Sequence, residues 1–488
     1  MKKLIVFILG LVGVMCAEAQ TPEEAELFSQ SSFGGTARGM GVSGAFGAIG
    51  ADQTGMITNP AALGLFRRIE LTLTTGFEHI KTTSTYEGFR NTDRRANAYL
   101  SNTGVVIASF RKRPSQTALK GMNFGISYNR LDSYYSDRFY RSPSTYNSLL
   151  KGYKDALEGT RADNISYSGS YGFEPSLAYQ AYLLDPLATD STRYTAVTDG
   201  KNVDQRITLG TSGSSSELSF TFGANYNDKV FFGALLGIPF LNYRERYNFQ
   251  EATDTSDYYF DHFSLHQNLD VSGVGVHFKT GLIYAPVNWF RFGASLHTPT
   301  FYGMSRTFWS DVTAKFDLVS TPYYEESPIG EFEYNLVTPM RVTGSLGFLF
   351  NQYGFFSLDY EWLDHRRSRY IFEDGYGDVE NILNAQIERS YGCSHVLRSG
   401  LELAYGIFRL RGGVAYYSSP LKGASFSWNE VGASRYYSFG AGLRFKRFFF
   451  DWAYVRKTTT EEILFVNDVA ARDKVISNQV LLTAGFRF

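Results

Sequence analysis

The pattern that most constrains this chain is the one it ends on. Val480, Leu482, Ala484, Phe486 and Phe488 alternate with Gln479, Thr483, Gly485 and Arg487, and the alternation runs out on the terminal aromatic residue. Period-two patterning belongs to a strand with one apolar and one polar environment. It recurs over residues 121–131, where Met122, Phe124, Ile126 and Tyr128 alternate with Asn123, Gly125, Ser127 and Asn129. Residues 217–227 repeat it with Leu218, Phe220, Phe222, Ala224 and Tyr226. Beyond the first twenty residues no run of about 18 apolar residues occurs, which excludes spanning helices. The start itself, Met1-Lys2-Lys3, an apolar stretch from Leu4 to Met15, and Ala17-Glu18-Ala19, reads as a signal peptide over residues 1–19. Cleavage there leaves Cys393 as the one cysteine, so neither a disulfide framework nor a cysteine metal site is expected.

Strands are predicted at 69–80, 101–112, 121–131, 217–227, 229–247, 272–285, 289–309, 340–350, 353–362, 395–404, 407–417, 435–446, 447–457 and 475–488. Tight turns such as Asn227-Asp228, Asn351-Gln352, Tyr405-Gly406 and Lys446-Arg447 alternate with long polar loops at 81–100, 132–216, 248–271, 310–339, 363–394, 418–434 and 458–474. An even strand count, short turns at one end and long loops at the other describe an all-β fold, a transmembrane antiparallel β-barrel of about 14 strands in a bacterial outer membrane. A soluble sandwich or propeller also alternates, but export, the loop asymmetry and the terminal Phe488, which is similar to the signal read by outer-membrane assembly machinery, favour the barrel. Aromatic residues make up 16% of the chain and charged residues 19%, and 47 Lys and Arg nearly balance 48 Asp and Glu. That balance argues against a nucleic-acid partner.

Charges on the polar faces of the later strands set up candidate lumen ion pairs. With the turns placed as above, Glu402 falls opposite Arg409 with Arg411 one diagonal step away, Arg341 lies diagonal to Glu361, and Arg444 diagonal to Asp451. Such charges either set the selectivity of a pore or form a salt-bridged wall around a plug; alternating, cancelling signs favour the wall.

Residues 20–68 do not alternate. Thr21, Pro22 and Glu24 form a helix start with N-cap, N1 proline and capping-box glutamate. Nine glycines follow between Gly34 and Gly64, which suits a compact segment packed in the lumen as a plug. Gly39-Met40-Gly41-Val42-Ser43-Gly44 fits GxGxxG, but no strand precedes it and no acid lies about 20 residues on. Ala37-Arg38-Gly39-Met40-Gly41, Gly44-Ala45-Phe46-Gly47-Ala48 and Asn59-Pro60-Ala61-Ala62-Leu63 resemble the N-terminal hatch of the FadL/TodX family of outer-membrane transporters for long-chain fatty acids and other hydrophobic compounds. Ser357-Leu358-Asp359-Tyr360-Glu361-Trp362, Arg398-Ser399-Gly400-Leu401-Glu402 and Leu410-Arg411-Gly412-Gly413 are similar to later blocks of that family. The resemblance implies a fourteen-stranded barrel closed by a hatch containing Asn59, Pro60 and Ala61. It also implies passive movement of a hydrophobic ligand from an extracellular groove through a lumen pocket to a wall opening beside a kinked strand. The largest loop, 132–216, departs from the placement of long loops in the best-known members.

That loop holds an amphipathic helix candidate in Tyr146, Leu149, Leu150, Tyr153 and Leu157, which either contacts ligand or packs as a cap. Phe260 and Phe263 in a later loop are further ligand candidates. HExxH, P-loop and GxSxG motifs are absent from the sequence, and His262 and His266 lack a third ligand nearby. The expectation is therefore a non-enzymatic channel for hydrophobic small molecules with no cofactor or metal. It is expected to be monomeric, embedded in outer-membrane lipids, and inserted by the assembly machinery through Phe488. The alternative is a non-transporting interaction protein, a secretion or surface-assembly partner that uses its long loops.

Overall fold

In the computed structural model, which describes residues 21–30, 33–110, 118–167, 169, 171–253, 259–373, 375–424, 427 and 430–488, the alternation is turned inside out relative to a soluble protein. Leu71, Leu73 and Phe77 are 47–51% exposed, whereas their neighbours Thr72, Thr74 and Glu78 are at most 3% exposed. A sandwich would bury the apolar face. A barrel in a bilayer presents it to lipid and keeps the polar face inside. The signal peptide at 1–19 lies outside the described residues.

Fourteen strands close the wall among the described residues. They are β1 (Glu70–Tyr86), β2 (Phe89–Phe110), β3 (Leu119–Ser133, continued by Ser136–Thr145), β4 (Val203–Tyr226), β5 (Val230–Thr253), β6 (Phe260–Val287) and β7 (Phe290–His297, continued by Phe301–Phe316). The rest are β8 (Gly330–Val337, continued by Arg341–Leu349), β9 (Gly354–Asp364, continued by Arg369–Ile371), β10 (Cys393–Tyr405), β11 (Phe408–Tyr417), β12 (Ser434–Arg444), β13 (Phe448–Leu464) and β14 (Ala470–Arg487). Each pairs antiparallel with the next, and β14 returns to β1 with Arg487 opposite Glu70, so the sheet closes on itself. Phe488 N–H donates to Ile69 O at 3.0 Å and its ring is 75% exposed. With Trp289, Tyr353, Tyr405 and Phe408 it forms an exposed aromatic ring at the short-turn end, as an interfacial girdle requires.

Several stretches assigned to loops are strand. Segment 81–100 is the tip of the β1–β2 hairpin, turned by Glu87 (φ 45°) and Gly88 (φ 87°), and most of 248–271 and 310–339 belongs to β5–β8. Beyond the bilayer the outward face meets water in place of lipid, so apolar alternation fades in Thr83–Arg95 while the hydrogen-bonded ladder continues and Tyr86 packs inward under the cap. Segment 132–216 is part strand and part insert, with helices α4 (Leu149–Leu157) and α5 (Phe173–Gln180) and a small hairpin of Leu184–Leu187 and Asp190–Ala196. The described part of 363–394 carries a helix, Gly377–Ser390.

The N-terminal segment runs through the lumen as three short helices, α1 (Pro22–Ser29), α2 (Ala37–Met40) and α3 (Gln53–Thr58), and a 3-10 turn, Pro60–Leu65. Its tight turns leave backbone groups that wall side chains satisfy. Asp359 accepts from the N–H groups of Phe46 and Gly47, both at 3.0 Å, and Asn123 Nδ2 donates to the carbonyls of Leu63 and Phe66 at 2.7 and 2.8 Å. Wall glycines make room: a Cβ on Gly233 would stand 2.1 Å from the Pro60 carbonyl carbon, and one on Gly413 2.5 Å from that of Val42. Gly233→Ala is therefore expected to push the 3-10 turn off the wall at about 1–3 kcal/mol. Liposome-swelling assays should show a raised small-solute leak. Gly344→Ala, where a Cβ meets nothing within 4 Å, should leave the leak unchanged.

Candidate functional site

Pro22–Ser29 starts as its sequence dictates, with Thr21 Oγ1 accepting from Glu24 N–H at 3.2 Å. The Glu24 side chain goes elsewhere: Arg306 Nη1 on β7 donates to both its oxygens at 2.8 and 3.0 Å, tying the helix to the wall. Above the helix lies a cavity of about 1470 Å³. Leu27 contributes to its floor, Tyr134, Tyr243, Leu265 and Leu269 to its walls, and Leu149 and Tyr153 to its roof. Beneath it, between the luminal segment and the wall, a second cavity of about 90 Å³ is lined by Glu217, His277, Lys279, His297, Arg341 and Glu361. Gln30, Phe33, Gly34, Arg130 and Leu131 line both, so the two adjoin at that level.

The ligand candidates separate. Leu149 and Tyr153 line the upper cavity. Leu150, Leu157, Phe260 and Phe263 are at most 1% exposed and pack with Tyr86, Tyr140, Phe249 and Phe316 into the core of the cap. Tyr146, 74% exposed, precedes the helix rather than joining it. The apolar stripe of α4 is thus split between cap core and cavity.

The wall below carries a continuous ion network. Arg411, fully buried, donates to Glu402 at 2.6 Å and Asp451 at 2.8 Å; Arg444 reaches Asp451 at 2.8 Å. Arg38 from the luminal segment donates to Glu402 through Nε at 2.9 Å and Nη2 at 3.0 Å. At the β10–β11 turn the register differs from the expected one. Gly406-Ile407, not Tyr405-Gly406, makes the β10–β11 turn, so Arg411 stands opposite Glu402 and Arg409 opposite Ala404. Arg409 instead donates to the carbonyls of Gly406 and Phe408 at 2.8 and 2.7 Å. Arg341 lies 3.9 Å from Glu361, whose closer partner is Arg398 at 2.6 Å. Arg38, Asp359 and Arg398 were not singled out by charge spacing; each stands inside a motif block quoted above, where a charge among small residues is the signal. Asn59 Oδ1 accepts from Ala61 N–H at 3.1 Å while Nδ2 donates to Gly47 O at 2.8 Å and Leu282 O at 3.1 Å, and Pro60 and Ala61 are buried against β5 and β6. His262 and His266 lie on β6 beside Asp261 (3.2 Å) and Asp311 (2.9 Å); among the described residues no group of three metal-capable side chains occurs.

One seam of the wall is incompletely laddered. β2 pairs with β3 only from Asn102–Asn129 to Phe110–Gly121. Past Asn129, β3 breaks at Tyr134-Tyr135 and its continuation pairs with β4. Side chains fill the gap, with the Arg130 guanidinium 4.3 Å from the Tyr99 ring centre and Phe139 N–H on Asp93 at 2.9 Å. Tyr99, Ser101, Arg130 and Tyr135 also line the upper cavity.

Fold and site together define a transmembrane β-barrel whose lumen is occupied by its own N-terminal segment. No family model matches the sequence, and no curated protein does. Among solved structures the chain is similar to a Pseudomonas aeruginosa FadL homologue, with 12% identity over 94% of this chain and 99% of that one and a TM-score of 0.55. It is also similar to the P. putida toluene transporter TodX, with 12% identity, the same two coverages and a TM-score of 0.52. At that identity the likeness shows a shared fold.

Arg411→Ala takes one buried cation from both Glu402 and Asp451, which keep Arg38 and Arg444, and is expected to cost about 1.5–3 kcal/mol, read as a lower temperature of the heat-modifiable gel shift; Arg409→Ala should leave that temperature within a few degrees of the parent. Burial raises the Glu26 carboxyl to about 7 against an ordinary 4.5, with Gln30 as its hydrogen-bond partner. Its folded pKa lies above its unfolded one, so docking of Pro22–Ser29 is favoured below about 4.5 and weakens as pH rises through 7. Hydrogen exchange in that helix, corrected for intrinsic rates, should quicken between mildly acidic and mildly alkaline pH, and Glu26→Gln should flatten the change.

Proposed function

We propose that this protein is an outer-membrane channel of the FadL/TodX kind that admits hydrophobic small molecules passively. The observation that carries this reading is continuity. A roofed cavity with apolar and aromatic lining touches the incompletely laddered β2–β3 seam, which side chains such as Tyr99 and Arg130 close, so their displacement would give a hydrophobic ligand a path from the cap to the bilayer that avoids the blocked lumen floor. A blocked lumen suits lateral exit, because an apolar solute gains nothing from entering water on the far side. The kinked strand that the family resemblance implies corresponds best to β3, broken at Tyr134-Tyr135. Long-chain fatty acids are one member of the ligand class, toluene-like compounds another. The long insert packs its apolar residues into a roof over this cavity, which supports transport over a secretion or surface-assembly role.

Cells with an intact lipopolysaccharide leaflet and no hydrophobic-uptake channel of their own, expressing this protein, are expected to take up labelled toluene or a labelled long-chain fatty acid faster than cells without it. Equal uptake of both compounds in the two strains would contradict the channel.

A further inference from the structure

Over the whole sequence the charges nearly cancel, 47 Lys and Arg against 48 Asp and Glu. The upper cavity does not share that balance: among the described residues lining it, ten are acidic and four basic. Two of the four cations are already committed, Arg306 to Glu24 at 2.8 Å and Arg138 to Glu461 at 2.7 Å. Arg130 and Lys457 sit near tyrosine rings, 4.3 Å from the centre of Tyr99 and 5.8 Å from that of Tyr436.

Glu462 lies 3.9 Å from Arg472, outside the lining, whereas three of the surplus carboxylates lean on neutral donors. Glu174 accepts from Gln267 and Ser310, both at 2.8 Å, and Glu245 from the Tyr243 hydroxyl. Glu78 is 3% exposed; its Oε1 accepts from Ser477 at 2.6 Å and Gln479 at 3.1 Å, while Oε2 has no hydrogen-bond partner. A buried carboxylate oxygen without a donor costs free energy that an incoming donor or cation relieves. Nine tyrosines and two phenylalanines line the same cavity, and aromatic faces attract cations. Burial raises Glu24 and Glu26 to about 7 and raises Asp132 as well, yet with all three protonated the lining still carries seven carboxylates against four cations.

Resting on the channel reading, we propose that the upper cavity selects hydrophobic amines: an ammonium head among the surplus carboxylates and tyrosine rings, an apolar tail along Leu27, Leu149, Leu265 and Leu269. Carboxylates of the same chain length are disfavoured by the same field.

Calorimetric titration of the purified full-length protein in non-ionic detergent with dodecylamine, dodecanol and dodecanoate tests this. The amine is expected to bind at least about tenfold more tightly than the carboxylate, with the alcohol between them. The preference should shrink with added salt and in a Glu78→Gln/Glu245→Gln variant whose dodecanol binding is unchanged, and persist in Glu245→Asp. Dodecanoate binding as tightly as dodecylamine, with dodecanol still bound, overturns the head-group assignment and leaves the channel standing. Binding of none of the three overturns both.

Discussion

Everything in this molecule follows from putting apolar side chains on the outside. A lipid-facing surface supplies no hydrogen bonds, so the backbone must satisfy itself in a closed ladder, and β14 meeting β1 achieves that. Closure then forces the polar half of every strand into an enclosed lumen where charges are poorly hydrated. Arg411 between Glu402 and Asp451 is the result, and Arg38 on the luminal segment joins the same network. The segment is bound because the wall holds donors, acceptors and glycine clearances that match it, not because it has a core of its own.

The barrel was legible in the sequence wherever one strand face met lipid and the other the lumen. Leu71 and Leu73, or Leu482 and Phe486, announce their strands by alternation. Where water replaces lipid the signal disappears though the strand does not, and Thr83–Arg95 was therefore assigned to a loop. Register was legible only as far as the turn was. Moving the β10–β11 turn by one residue moves every cross-strand pair by two, which exchanged Arg409 for Arg411 as the partner of Glu402. Diagonal pairs such as Arg444 and Asp451, next to a turn, depend on the same placement.

The upper cavity was less legible, for a physical reason. An apolar stripe on α4 identifies a face that must be covered but not by what, and Leu150 and Leu157 went into the cap while Leu149 and Tyr153 faced the cavity. The acidic surplus was hidden altogether, because the chain as a whole is balanced and the carboxylates that converge there come from the luminal helix, the insert and several strands far apart in sequence.

On the channel reading, hydrophobic ligands are expected in the lumen chamber rather than merely on the lipid-facing wall. Photolabelling of the protein in outer-membrane vesicles with a hydrophobic diazirine probe, followed by peptide mapping, tests it most directly. Saturable labelling at Leu27, Tyr134, Tyr153 or Tyr243, competed by an unlabelled hydrophobic compound, is the result expected. Labelling confined to outward positions such as Leu73 and Phe232, insensitive to competitor, would contradict it.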